Sequence, residues 1–200
     1  MLKATYSGKL TEAGLDEAGR GCLAGPVVAA FVVLPGDYHH PKLNDSKQLT
    51  RKQREWLRGE ILKEAIDYGI AEVCNKEIDR INILNASFLA MHKALDVKKC
   101  KPQLLLIDGN RFKAYKKIPH QCIVEGDAKY FSIAAASVLA KTYRDDLMTE
   151  LSVKHPEYDW CNNMGYGTAR HREAISKFGI TPYHRLSFSL HDSQLALFAH

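Results

Sequence analysis

The chain has 200 residues, 46% of them hydrophobic, which is enough for one domain with a full core and short for two. Its 28 Lys and Arg exceed 23 Asp and Glu, a formal charge of +5 that suits a polyanionic partner without specifying one. The five cysteines (Cys22, Cys74, Cys100, Cys122, Cys161) form no C-x-x-C pair and are odd in number, which argues against structural zinc or a disulfide framework and for the reduced cytoplasm. The opening residues 1–6 lack a signal-peptide core, and no apolar run approaches the ~18 residues of a membrane span.

The stretch Gly14-Leu15-Asp16-Glu17-Ala18-Gly19-Arg20-Gly21 comes first, followed by Pro26 and an apolar run from Val27 to Leu34. A short strand ending in two carboxylates, a glycine turn that lets backbone approach a partner, and a returning strand suit a metal-dependent enzyme acting on phosphate esters. Gly19, Gly21 and Ala24 formally fit a G-x-G-x-x-A dinucleotide fingerprint. That motif needs a helix after the turn, whereas a β-branched run follows here. A plain hairpin with a surface Asp-Glu pair is the bland alternative.

Beyond the polar loop Leu43-Asn44-Asp45-Ser46-Lys47, Thr50 and Gln53 spell a capping box that opens a helix to about Tyr68, closed by Gly69. Ile70 to Cys74 reads as a strand and Asn75 as the cap of a short helix. Asn85 to Val97 is a stronger helix with Phe88, Met91 and Leu95 on one face. Gln103 to Ile107 is a continuous apolar run ending in Asp108-Gly109, the pattern of a buried central strand delivering an acid to the sheet edge. A basic loop (Arg111, Lys113, Lys116, Lys117) leads to a strand over Cys122–Glu125 and then to Gly126-Asp127. A long Ala-rich helix runs from Tyr130 to about Lys154 and is stopped by His155-Pro156. Gly165-Tyr166-Gly167 precedes a helix capped by Thr168 and closed by Gly179, followed by Pro182-Tyr183-His184-Arg185. Strands alternating with helices after a hairpin predict an α/β layer sandwich with a mixed central sheet flanked by helices, plus a C-terminal helical segment.

Four carboxylates stand where strands end or a helix begins: Asp16, Glu17, Asp108 and Asp127. Two divalent ions about 3.5–4 Å apart need several anionic oxygens, so distant elements must each contribute an acid. Asp145 and Asp146 are rivals for the last position, but on a continuous helix Asp145 lies about 27 Å from Asp127 at roughly 1.5 Å per residue. Glu125 is a closer rival that spacing does not exclude.

Taken in order, the first motif, Asn44-Asp45-Ser46-Lys47, Ile107-Asp108-Gly109, Gly126-Asp127-Ala128-Lys129, Ala135-Ala136-Ser137, Ala140-Lys141, Arg144-Asp145, Gly165-Tyr166-Gly167 and His184-Arg185-Leu186-Ser187-Phe188 resemble ribonuclease HII over almost the whole chain. The resemblance implies a ribonuclease H-like fold over residues 1–188, with 189–200 as a tail. It also implies endonucleolytic cleavage of RNA in RNA–DNA hybrids and incision 5′ to single ribonucleotides in duplex DNA. Asp16, Glu17, Asp108 and Asp127 match the catalytic acids, which hold two Mn²⁺ or Mg²⁺ ions for in-line attack of water on the phosphate, leaving 3′-hydroxyl and 5′-phosphate ends. Gly19, Arg20 and Gly21 match the loop that, with Tyr166, senses the ribose 2′-hydroxyl.

Asn44, Ser46 and Lys47 are candidates for a backbone phosphate, with Lys129, Lys141 and Arg144 as further ones. For His184, satisfying a buried backbone carbonyl is the preferred role over substrate contact. In the tail, Gln194, Leu195, Leu197 and Phe198 resemble the short peptide by which bacterial repair proteins bind the sliding clamp, with an amphipathic last turn packed on the domain as the other reading. The protein is expected to act as a monomer. Ribonuclease HIII is the neighbouring alternative, disfavoured because about thirteen residues precede the first motif where that family carries a sizeable N-terminal domain. A noncatalytic nucleic-acid binder is the alternative from another class, disfavoured by retention of all four acids.

Overall fold

Seven consecutive apolar residues with no polar face require a strand covered on both sides. In the computed structural model, which describes residues 2–44 and 46–190 with Lys47 given by its backbone alone, that strand is β2 (Val27–Val33), and every residue in it is buried. It pairs antiparallel with β1 (Glu12–Ala18) and with β3 (Asp67–Val73). On its other side β1 pairs in parallel with β4 (Leu104–Asp108), which pairs in parallel with β5 (His120–Ile123). The mixed sheet therefore has the order β3-β2-β1-β4-β5.

Alternation along β2 builds the two cores. Val28, Ala30 and Val32 pack with Leu57 and Ile61 of α1 (Arg51–Glu64) and with Ala134, Val138 and Leu139 of α4 (Phe131–Lys154). Val27, Ala29, Phe31 and Val33 face Ala90, Met91, Ala94 and Leu95 of α3 (Ile83–Asp96). The result is the expected three-layer sandwich. Helix α4 lies so close to β1 that a Cβ on Gly14 would stand 2.2 Å from the Ser132 carbonyl carbon.

A third cluster joins Leu23 and Ala24 to Met148, Tyr158, Trp160 and Met164, with Ala174 and Ile175 of α6 (Ala169–Phe178). Trp160 opens the short helix α5 (Trp160–Asn163). Buried inside this cluster, His171 and His184 touch through their Nε2 atoms at 3.2 Å, and the Trp160 indole N–H donates to His171 Nε2 at 3.0 Å. His184 Nδ1 accepts the Thr181 N–H at 2.9 Å. His184 thus meets a ring and an amide, not the backbone carbonyl expected for it.

Several boundaries differ from expectation for local reasons. The capping box of Thr50 and Gln53 forms, but α1 ends at Glu64 and β3 already holds Asp67 and Tyr68. Gly69 is not a helix stop. It is the strand residue against which Phe31 and the Ala94 carbonyl press, each within 2.7 Å of where a Cβ would be. Asn75 is the first residue of α2 (Asn75–Ile81) and does not cap it; its amide instead donates to the carbonyls of Pro182 and His184. Asn82 caps α3, which starts at Ile83, two residues before its expected start. The face of α3 toward the sheet is mostly alanine, and Phe88 turns outward to meet Phe112. The strand expected to reach Glu125 ends at Ile123, because Glu125 takes a left-handed conformation that starts a 3-10 turn over Gly126–Ala128. All five cysteines are free, and Cys22 is the fully buried one among them. No described helix is long and apolar enough to cross a membrane.

Two glycines should respond oppositely to alanine. Gly14→Ala should cost about 1–3 kcal/mol, since α4 backbone must move. Gly59→Ala, in α1 with nothing within 4 Å of the new methyl, should gain about 0.5–1 kcal/mol. Urea unfolding of both variants checks the signs.

Burial holds His184 down at about 4, with the neighbouring His171 and His155 adding to the depression, and burial lowers His171 as well. The unfolded chain takes up a proton near pH 6.5 that the folded chain refuses, so stability is full above pH 6.5 and is lost as pH falls toward 4. The unfolding free energy should therefore drop between pH 7 and pH 5, by up to about 1.4 kcal/mol per pH unit per proton. That drop should be smaller in His184→Gln.

Candidate active site

Parallel pairing of β1 with β4 sets Leu15 beside Ile107, so the next residues on each strand, Asp16 and Asp108, leave the sheet at one edge. Both line a cleft of about 290 Å³ together with Glu17, Gly19, Arg20, Gly21 and Tyr166, and with Ser46, Arg54, Ser137 and Lys141. Asp16 Oδ1 accepts the Glu17 N–H at 2.6 Å, and its carboxylate is also bonded by the Ser137 hydroxyl. Ser137 in turn lies 2.8 Å from the Ser46 hydroxyl. Asp108 Oδ1 accepts the Gly126 N–H at 2.7 Å, so the turn before α4 aims this acid.

Burial pushes Asp16 well above the usual carboxylate range, and the charges of Glu17 and Asp108 push it further. Glu17 is raised by burial too, against the pull of Arg20, whose guanidinium reaches its carboxylate at 2.9 Å. Arg20 offsets only part of the burden on these crowded, desolvated carboxylates. Their all-oxygen donor set is the kind that hard divalent cations take. Among the described residues no three of His, Cys, Asp and Glu already form a closed ion-holding group.

The fourth expected acid, Asp127, is 3% exposed in the turn beside Gly126, and it is not among the residues lining the cleft. Its rival Glu125 is exposed, and Asp145 bonds Lys141 at 2.6 Å and lies 3.8 Å from Arg54.

The glycines of the turn differ in purpose. Gly19 has φ +92°, and a Cβ there would strike the Arg144 guanidinium. Gly21 would carry a Cβ with only the Tyr166 ring near it, at 4.0 Å, so its missing side chain leaves open space in the cleft. Beneath the turn, Arg144 donates to the carbonyls of Ala24, Pro26 and Met164, and Arg185 to those of Arg20, Gly25 and Pro26. Arg144 is therefore committed to backbone and does not reach a phosphate. Lys129 likewise donates to the Val124 carbonyl. Asn44 is exposed and bonds Gln48 outside the cleft, whereas Ser46 and Lys141 line it. The side chain of Lys47 and the tail residues Gln194, Leu195, Leu197 and Phe198 lie outside the described residues.

Tyr166 is 43% exposed at the cleft. Its backbone bridges Cys22, and its hydroxyl hydrogen-bonds the Cys22 thiol; burial and that thiol push the phenol upward. Sequence reasoning gave Ser137 no role, although a serine set between the buried alanines and Val138 of α4 is a visible signal. It missed Arg54, whose position in α1 carries no such mark.

The family model described as Ribonuclease HII matches residues 13–191. A ribonuclease HII of Cytophaga hutchinsonii is 62% identical over 199 residues, covering 99% of this chain and 98% of that one. Among solved structures, ribonuclease H2 from Pyrococcus horikoshii OT3 superposes with a TM-score of 0.75 at 28% identity, covering 90% of this chain and 95% of its own. The RNase HII of a PCNA:RNase HII complex from Archaeoglobus fulgidus gives 0.73 at 25% identity, covering 94% and 100%.

Neutralising one crowded acid should relieve the fold. Asp16→Asn should raise the thermal midpoint measured without divalent ions, because the charged form is the one burial opposes. An unchanged or lower midpoint would count against this electrostatic picture.

Proposed function

This chain belongs to the ribonuclease HII family, metal-dependent endoribonucleases that hydrolyse RNA in RNA–DNA hybrids, and we propose that it also incises duplex DNA on the 5′ side of a single embedded ribonucleotide. The observation that carries this reading is one cleft lined by Asp16, Glu17 and Asp108 on one part and by Gly19–Gly21 and Tyr166 on another. Acids able to act on a phosphate thus stand beside groups able to inspect a sugar.

Two divalent ions, held by Asp16, Glu17 and Asp108 with Asp127 as a further ligand, would neutralise the phosphate and make water a competent nucleophile. Ser137 and the Gly126 N–H keep Asp16 and Asp108 aimed. Ser46 and Lys141 line the same cleft and are the candidate donors to a backbone phosphate, a contact that positions the duplex without reading sequence. The open space at Gly21 admits a sugar edge, and the half-exposed Tyr166 ring closes over it. There the 2′-hydroxyl alone separates RNA from DNA. As the water oxygen bonds to phosphorus, the bond to the 3′-oxygen breaks in line, leaving a 3′-hydroxyl and a 5′-phosphate.

The test is a labelled DNA duplex carrying one ribonucleotide, incubated with Mn²⁺, Mg²⁺ or chelator, with the cut mapped to the nucleotide. A metal-dependent nick 5′ to the ribonucleotide is expected. It should be abolished by Asp16→Asn and lowered about tenfold or more in kcat/KM by Tyr166→Ala, the scale of one lost stacking or hydrogen-bond contact. Cleavage restricted to long hybrids would keep the metal site and overturn the single-ribonucleotide reading.

A further inference from the structure

The hydrogen-bond partners around His171 and His184 leave one arrangement of protons. The Trp160 indole can only donate, so His171 Nε2 carries a lone pair. The Tyr166 carbonyl can only accept, so His171 Nδ1, 2.9 Å away, carries the proton. The Thr181 N–H fixes a lone pair on His184 Nδ1, which leaves the His184 proton on Nε2, pointing at His171 Nε2. A directed chain results: Thr181 N–H to His184, His184 N–H to His171, His171 N–H to the carbonyl of Tyr166. Both rings are neutral within it, since a second proton on either would face another donor.

This chain ties together the two sides of the sugar-reading cleft. The His184 backbone bridges Ala24, and its neighbour Arg185 donates to the Arg20 carbonyl inside the glycine turn. At the other end His171 bonds the Tyr166 carbonyl, which also accepts the Thr168 N–H at 2.8 Å, and the Tyr166 N–H is held by the Asn163 carbonyl. We propose that His171 is a positioning residue for ribonucleotide recognition: its Nδ1–H bond to the Tyr166 carbonyl, in a tautomer imposed by Trp160 and His184, sets the tyrosine against Gly19–Gly21. The inference rests on the reading of Tyr166 as the ribose sensor. His171 touches no substrate, and its effect passes through the tyrosine.

Two amide substitutions separate positioning from bulk stability, because asparagine reproduces a donor at the Nδ1 place and glutamine an acceptor at the Nε2 place. The readout is the ratio of kcat/KM on a single-ribonucleotide duplex to that on a uniform RNA–DNA hybrid. His171→Asn should keep the ratio within about twofold, and His171→Gln should lower it about tenfold, the scale of one hydrogen bond. Equal ratios in the two variants, whatever their melting temperatures, would overturn the proposal. Tyr166→Ala is measured beside them. If it lowers the ratio while His171→Gln does not, the positioning role fails and the ribose reading stands. If it leaves the ratio unchanged, the ribose reading itself fails and the proposal falls with it. Should His171→Gln not fold, the histidine tautomers of the wild-type protein decide instead. In the wild-type protein, ¹⁵N-histidine NMR should find His171 protonated on Nδ1 and His184 on Nε2; any other tautomer of His171 would overturn the proposal.

Discussion

Two guanidinium groups buried without a carboxylate partner underlie the geometry of the cleft. Arg144 and Arg185 are 1% and 0% exposed, and each spends its donors on backbone carbonyls around the segment that follows Gly21. That segment belongs to neither strand of the hairpin, so its carbonyls have no ladder to satisfy them, and burying them unpaired would cost dearly. The planar five-donor fork of arginine meets several carbonyls at once, which a lysine could not do. Burial draws the Arg185 guanidinium down to about 10, yet its carbonyl shell still accommodates the charge.

The same pair explains how the acids and the glycine turn come to share one space. The arginines fix the glycine turn from below, while the parallel register of β1 and β4 fixes Asp16 and Asp108 from the side. Neither constraint passes through a long loop. The cost is electrostatic: Asp16 and Glu17 are held where burial and mutual repulsion oppose their charge. A sheet that delivers acids to one edge keeps this strain because the reaction needs it.

Much of this was legible in the residues. The apolar run from Val27 reads as a strand, and the run ending in Asp108-Gly109 as a buried central strand that delivers its acid to the sheet edge. The capping boxes and caps at Thr50 and Thr168 were readable because their signals are local. What escaped was set by contacts between distant elements. Gly69 looks like a helix stop until Phe31 is known to lie across it. Asn75 looks like a cap, but its amide reaches the C-terminal segment. Arg144 resembles a phosphate ligand on an exposed helix turn, whereas tertiary packing turns it inward. Arg54 and the proton order of His171 have no signature at all in one dimension.

The strand order also dictates when the cleft can exist. The chain meets β2 at once after β1, so that hairpin forms from neighbouring sequence, but the partner that brings Asp108 to Asp16 arrives only after three helices have been made. The hydroxyl that steadies Asp16 comes later still, on α4, and the arginine that locks the glycine turn is among the last described residues. Contacts of such long sequence separation form late and slowly. A chain that has not yet reached α4 and Arg185 therefore lacks the contacts that assemble the cleft, whatever its first hairpin does.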